Sequence, residues 1–397
     1  MRRRYCNHAS RASVHLLIVI LAFVGLPRRA RSDDAGFRPL FNGKDLTGWV
    51  KQGPAGFEVK DGALVCNGSG NYPTWLRTDE IFENFVLRLE YRNLWEAEGG
   101  VFFSAPLYGR IATVGFDVRI ASNTNQPCAH SPGAIFEAVQ PLVEAARRDD
   151  NPGWNKLEIA MDWPRLRATL NGQVVQDLNV EEHESLRYRP RIGYIGLQDR
   201  GKPILFRNVE IKRLPDKQRG QWRSLCNGKD LQGWTITEKC SAQWSIENSE
   251  IIAKDGHGYL VTDQQFRNCE FQTYVQASPL TNSGVFFRWK GAGNRGFEIQ
   301  IEDIPDSQDP TGSIYGRVRA KCMPFQPGEW YLMQVFLKDR CCVVRVNGET
   351  VAETDALPVD RTGNISLQMH TDRGWVRFKD PRVRPLDKDT AVSQASD

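Results

Sequence analysis

A ten-residue phrase occurs twice in this chain, as LFNGKDLTGW at Leu40–Trp49 and LCNGKDLQGW at Leu225–Trp234. It opens a longer series. WLRTDEIFENFVLRLEY (Trp75–Tyr91) is answered by YLVTDQQFRNCEFQTYV (Tyr259–Val275), EGGVFFS (Glu98–Ser104) by NSGVFFR (Asn282–Arg288), and GFDVRI (Gly115–Ile120) by GFEIQI (Gly296–Ile301). Later, LNGQVV (Leu170–Val175) is matched by VNGETV (Val346–Val351), and GLQDR (Gly196–Arg200) by SLQMH (Ser366–His370). The order is kept and the spacing drifts slowly, which marks one duplicated domain and not a short-period solenoid. A chain of 397 residues has room for two such domains. The polar stretch KRLPDKQRGQ (Lys212–Gln221), with its Pro and Gly, separates them. The copies are expected over 33–214 and 222–386, with a disordered polar tail over 387–397.

Inside each copy, apolar and polar residues alternate over short stretches: VLRLEY, VGFDVRI, KLEIAMDW and ILFRNVEIKRL in the first, CEFQTYV, GFEIQI, YLMQVFLK and CVVRVNG in the second. Period-two alternation bounded by turn residues reads as half-buried strand. Asn171-Gly172 and Asn347-Gly348 mark tight hairpins, because both central positions of such a turn take positive φ. Pro141–Asp149 is read as one short helix. Copies of this size, made of many short strands, imply two packed sheets each, so the fold class expected is all-β, a sandwich or jelly roll.

The N-terminus carries Arg2, Arg3, Arg4 and Arg11, then the apolar run Leu16–Leu26, then the small residues Ala30 and Ser32. That is the layout of a secretory signal, and the run is too short to span a bilayer. Residues 1–32 are therefore expected to be removed, leaving an exported protein (periplasmic, cell-surface or extracellular) that starts near Asp33 with no stable membrane insertion. The net charge of +4 owes much to the leader arginines. The mature chain is then expected near neutrality, which argues against a nucleic-acid partner, since such a partner needs a clustered basic face. Eight cysteines follow Cys6, none in a CxxC, which disfavours a zinc cluster. Cys226 stands where the first copy has Phe41 and reads as a small core residue, while Cys341 and Cys342 should face opposite sides of a strand.

Taken in series, FNGKDLxGW, NSGVFFR, GFEIQIED followed by TGSIYG, PGEW before a strand, the Asn-Gly hairpin, and IGLQD with FRNVEIK resemble the 3-keto-disaccharide hydrolase domain. That family was long known only as a domain of unknown function. The resemblance runs from about Gly36 to Leu386. It implies two tandem concanavalin A-like jelly-roll β-sandwiches, and activity on glycosides already oxidised at C3, or at least sugar binding. The closing pattern of the family is LQDHG. The first copy has Gln198-Asp199-Arg200 there, and the second has Gln368-Met369-His370.

Strand geometry nominates a site in the second copy. In GFEIQIED, Phe297, Ile299 and Ile301 fill the core, so Glu298, Gln300 and Glu302 line the other face, with Asp303 at the strand end. In NSGVFFR, Val285 and Phe287 point inward, so Gly284, Phe286 and Arg288 share the opposite face. If the two strands are neighbours, Arg288 and the Glu298/Gln300/Glu302 row form one polar surface beside Phe286. Tyr315 and Trp289 would add stacking area for a sugar ring, and Asn282 and Gln368 would add amides. The first copy has Asp117, Arg119, Ala121 and Ser122 in place of Glu298, Gln300, Glu302 and Asp303, and Ser104 in place of Arg288. It lacks most of the acidic row and the arginine, so the second copy is the better equipped for chemistry.

A ketone at C3 acidifies the C2–H bond. Removing that proton gives an enolate that expels the C1 glycosidic oxygen, and water then adds back; the resemblance implies this route. It needs a base near neutral pKa, a cation at the ketone oxygen and an acid for the leaving group. His370 suits the base, Arg288 the cation, and Glu298 or Glu302 the acid or an alternative base. Direct hydrolysis by two carboxylates is the other enzymatic route. Glu298 and Glu302 are four residues apart on a strand, so their Cα atoms lie roughly 13 Å apart, which favours separate roles. Glu298, Glu302, Asp303 and His370 could also hold a divalent metal, although their spacing is not a recognised ligand pattern; otherwise no cofactor is expected. A non-catalytic, lectin-like carbohydrate-binding protein and an extracellular scaffold remain the alternatives to an enzyme.

Overall fold

The computed structural model describes residues 35–66, 74–93, 97–121, 128–143, 153–216, 221–291, 293–304, 306–358 and 362–386. The leader and the tail lie outside these residues, as does most of the expected helix at Pro141–Asp149. Among the described residues one short helix occurs, Ile111–Val114, and everything else that is regular is strand. No helix there is long and apolar enough to cross a membrane.

The first copy is a sandwich of two antiparallel sheets. The front sheet runs Trp49–Gln52, Trp75–Phe82, Gly193–Gln198, Gly99–Ala105, Phe116–Ala121. The back sheet runs Gln173–Asn179, Arg165–Leu170, Asn155–Asp162, Phe85–Asn93, Ile204–Arg213, Ala63–Cys66, Phe57–Lys60. The second copy repeats this order, but two long strands, Glu250–Phe266 and Gly363–Pro385, run through both layers, so its eleven strands form one continuous sheet folded on itself. Pairing slips where the long strands turn, between Lys254 and Gly256, with Gly256 at φ 95°.

Each sandwich has its own core, built from the inward half of the alternation. Val285, Phe287, Phe297, Ile299, Ile301, Leu367 and Met369 belong to the second core; Val101, Phe103, Phe116, Val118 and Leu197 are their counterparts in the first. Both Asn-Gly pairs form the expected hairpins, with φ of 52° and 84° at Asn171-Gly172 and 45° and 82° at Asn347-Gly348. Cys341 is exposed and Cys342 fully buried; Phe41 is a buried member of the first core, whereas Cys226 is half-buried and packs against the second from its edge, not within it as expected.

One irregularity shapes the front sheet. Phe286 pairs with Ser366, but Trp289 pairs with Asn364, so three steps on one strand face two on the other. This is a β-bulge. Arg288 takes the extra position at φ 59°, and Ser104 does the same in the first copy at φ 45°. The bulge breaks the alternation. It turns Trp289 onto the outer face and swings Arg288 away, where its guanidinium donates to the Asp339 carbonyl and lies 6.0 Å from the Phe297 ring centroid. Arg288 therefore does not join the Glu298 face, contrary to the expectation from alternation.

Candidate functional site

The outer face of the second front sheet is ordered as cross-strand rows. Glu298, Phe286 and Ser366 form the first, and Gln300, Gly284, Gln368 and Tyr259 the second. Glu302 pairs with Asn282 and His257 with His370; with Ser283 opposite Met369, these four make the third row. Of the residues nominated from sequence, Glu298, Gln300, Glu302, Phe286, Asn282, Gln368 and His370 thus share one face. Tyr315 stands at its edge, 54% exposed, its backbone N–H donating to the Glu298 carbonyl at 3.0 Å. Trp289, Phe286 and Tyr259 pack into one aromatic wall, with ring centroids 4.5 to 5.6 Å apart.

Asp303 continues the alternation and points inward. Its carboxylate accepts from Thr311 Oγ1 at 2.6 Å, and burial pushes its pKa up to about 6. Glu302 accepts from the Ser307 hydroxyl. The four residues suggested as metal ligands thus do not converge, and among the described residues no group of three or more His, Cys, Asp or Glu is placed to hold an ion.

The Glu298 carboxyl lies over Gly284, where a Cβ would sit only 2.2 Å from Oε1. Glycine at that position makes the space. Burial raises the Glu298 pKa to about 8, opposed by Arg295 and reinforced by Asp309. Gln300 and Gln368 are 2% and 5% exposed, yet among the described residues the carbonyl oxygen of each side-chain amide has no partner, and the buried Ser366 hydroxyl has none either. Such groups are costly to bury unless something pairs with them.

Sequence reasoning missed two residues. Arg295, in the loop between Asn282–Trp289 and Phe297–Glu302, donates to the Tyr259 hydroxyl at 3.2 Å, and its charge reaches both Glu298 and His370. It occupies the place expected for Arg288. A loop residue carries no periodicity, so only its charge between two glycines could have signalled it. His257 packs edge-to-face on His370, centroids 4.8 Å apart, and bonds Asp372 at 2.8 Å. Burial lowers the His370 pKa, followed by the charges of His257 and Arg295.

The first copy closes the same face upon itself. Asp117 lies over Gly100 as Glu298 lies over Gly284. But Arg119, at the Gln300 position, pairs with Asp117 at 3.4 Å, donates to Gln198 Oε1 at 2.9 Å and covers the Phe136 ring at 5.1 Å. Arg200, at the His370 position, pairs with Glu98 at 3.0 Å. Asp199 of the closing motif points inward, accepting from the Gly56 and Gly201 N–H groups. The acid that the second copy lacks is thus a structural group, and Met369 replaces it in the core.

The chain presents two-layer all-β sandwiches, the second with a front sheet lined by amides, acids and aromatics, and its family makes it a carbohydrate-active protein. The family described as the 3-keto-alpha-glucoside-1,2-lyase-like domain matches residues 36–212 and again 221–384, and the chain belongs to that family, in two tandem copies. A curated relative, the 3-keto-disaccharide hydrolase of Bacteroides thetaiotaomicron, is 22% identical over 239 residues, covering 46% of this chain and 80% of its own. A solved Parabacteroides distasonis protein described as a candidate glycosyl hydrolase is 23% identical with a TM-score of 0.40, covering 46% of this chain and 96% of its own. The carbohydrate binding module CBM66 of Bacillus subtilis is 11% identical with a TM-score of 0.30, covering 38% of this chain and 95% of the module.

Proposed function

We propose that the second copy cleaves glycosides bearing a ketone at C3, by elimination and rehydration, and that the first copy does no chemistry. The observation that carries this is the contrast between two copies of one face. In the first, Arg119 and Arg200 neutralise and fill it. In the second, the same positions hold Gln300 and His370, and buried acceptors await a partner. A sugar hydroxyl array is the ligand chemistry that suits paired amides beside an aromatic wall.

In this reading His370, its pKa lowered, holds a free lone pair at neutral pH and takes the C2 proton. Arg295 stabilises the enolate oxygen at C3. The C1–O bond breaks, and Glu298, protonated below about pH 8, gives its proton to the departing oxygen. Water then adds across the resulting enone, so the sum is hydrolysis. Because the Glu298 side chain leans over Gly284, its carboxyl stands over a position one strand and two residues from His370, roughly 8 Å in backbone terms, so the two groups flank one stretch of the same face. The name of the Bacteroides relative supports the substrate class.

The test is incubation of the purified chain with 3-keto-trehalose in D2O, following release of the second sugar. Turnover with deuterium at C2, reduced about 10²-fold or more in His370→Ala and Glu298→Gln and unchanged in Asp117→Asn, is the expected result. Turnover without deuterium points to direct hydrolysis. Binding without turnover replaces the enzyme with a lectin, and loss of activity in Asp117→Asn alone moves it to the first copy. We also infer export from the Arg-rich, then apolar, leader. N-terminal sequencing should find a mature start near Asp33, and a full-length cytosolic protein would refute it.

A further inference from the structure

We propose that His257 and Asp372 are positioning residues of the second copy: a carboxylate-tethered imidazole that fixes the orientation of His370. The inference rests on the functional reading above for what His370 does, but its geometry stands alone.

His257 and His370 are cross-strand partners in the Glu250–Phe266 and Gly363–Pro385 strands. Their rings meet edge-to-face, 4.8 Å apart at 75°. Asp372 is two residues past His370, hence on the same face. Its Oδ1 lies 2.8 Å from His257 Nε2, which assigns the proton of a neutral His257 to Nε2. The His257 backbone is pinned as well. Its N–H donates to Ser241 Oγ at 2.9 Å, and its carbonyl accepts from the Ser241 N–H at 2.8 Å. That approach requires both flanking glycines. At Gly256, φ 95°, a Cβ would meet Ser241 Oγ at 2.8 Å, and at Gly258 it would meet Cys240 Sγ at 2.2 Å. The segment Asp255-Gly-His-Gly-Tyr259 is thus shaped to hold one ring still. The first copy has Pro73, Arg200 and Lys202 at the positions of His257, His370 and Asp372. The trio is present only in the copy whose face is otherwise left open.

A tethered ring beside a general base limits its rotation, as the orienting partner in other acid–base pairs does. The charged groups facing His370 are His257 from the neighbouring strand, Asp372 on its own, Arg295 from the hairpin loop and Glu302 beyond Asn282.

The experiment compares His257→Gln and Asp372→Asn with wild type on 3-keto-trehalose, alongside 15N NMR of the imidazoles. Expected for both variants is a kcat fall of about 10- to 100-fold with KM within about threefold. In His257→Gln the acidic limb of the pH profile should move up, because a charge that opposes protonation of His370 is gone. In Asp372→Asn the Nε2–H of His257 faces a neutral amide oxygen in place of a carboxylate, so the 15N signals of His257 should move toward a mixture of the two tautomers. Wild-type kcat, pH profile and His370 titration in both variants, with His370→Ala inactive, overturns the positioning role alone. If wild type turns over no keto-glycoside, the functional reading fails. The NMR arm still decides this one: a His370 resonance and titration unmoved in His257→Gln overturns it.

Discussion

At the scale of single residues, the Glu298 carboxyl is held where ionisation is unfavourable: over Gly284, half-buried, with one loop arginine opposing the shift. Its folded pKa of about 8 stands above the ordinary 4.5, so between those values the folded chain binds the proton more tightly than the unfolded one. Stability contributed by this residue therefore falls as pH rises from about 4.5 to 8. Glutamine keeps the shape and removes the charge. Glu298→Gln should match wild type in urea denaturation near pH 4. At pH 8.5 it should be more stable, by an amount on the order of 3 kcal/mol, since each tenfold change in proton affinity is worth about 1.4 kcal/mol and solvent at the site screens part of it. Equal stability of the two proteins at pH 8.5 would refute the buried, neutral acid. A variant both inactive and more stable is what a site strained for function predicts.

At the scale of elements, alternation carries most of the site and a single bulge limits it. Period two alone assigns Phe297, Ile299, Ile301, Val285 and Phe287 to the core and leaves Glu298, Gln300 and Phe286 outside, as the structure has them. The duplication was equally legible, because ten matched residues in order do not depend on geometry. The bulge was not. Neither Arg288 nor Ser104 is a glycine, so nothing in the sequence marks the positive φ that reverses facing there. Arg295 and His257 escaped for another reason: one is in a loop, and the other stands opposite Pro73, in a stretch where the copies do not match. The two arginines should therefore separate experimentally. Arg288→Ala loses its bond to the Asp339 carbonyl, costing about 1–3 kcal/mol of stability, with kcat within about twofold. Arg295→Ala should leave stability near wild type and lower kcat by about 10²-fold. The reverse pattern in paired melting and kinetic measurements would return the cation role to Arg288.

At the scale of the molecule, the same loop does different work in the two copies. In the second, the loop before Phe297 reaches over the site with Arg295. In the first, the loop before Phe116 reaches the back sheet of the second copy instead. Tyr108 stacks on Trp330, centroids 5.4 Å apart and planes at 8°, and Lys379 donates to its hydroxyl at 3.1 Å. The Leu107 N–H donates to the buried Tyr274 hydroxyl at 3.0 Å. Beside this, Glu270 pairs with Arg384 at 3.0 Å and lies 3.6 Å from Arg191 of the first copy. Burial, then Asp216, raises the neighbouring Glu83 to about 7. The first copy thus covers apolar surface of the second, and the two sandwiches should unfold as one unit. Tyr108→Ala removes the stacked ring and the Lys379 contact, a loss of about 1–3 kcal/mol at the junction. In calorimetry it should split one transition into two and speed proteolysis between Lys212 and Gln221. Since the folded pKa of Glu83 is raised, its contribution to stability falls as pH rises from about 4.5 to 7, so the split should widen toward alkaline pH. A Tyr108→Ala protein that melts in one transition at the wild-type temperature at pH 8 would mean the junction carries no coupling, and that the first copy is held by its linker alone.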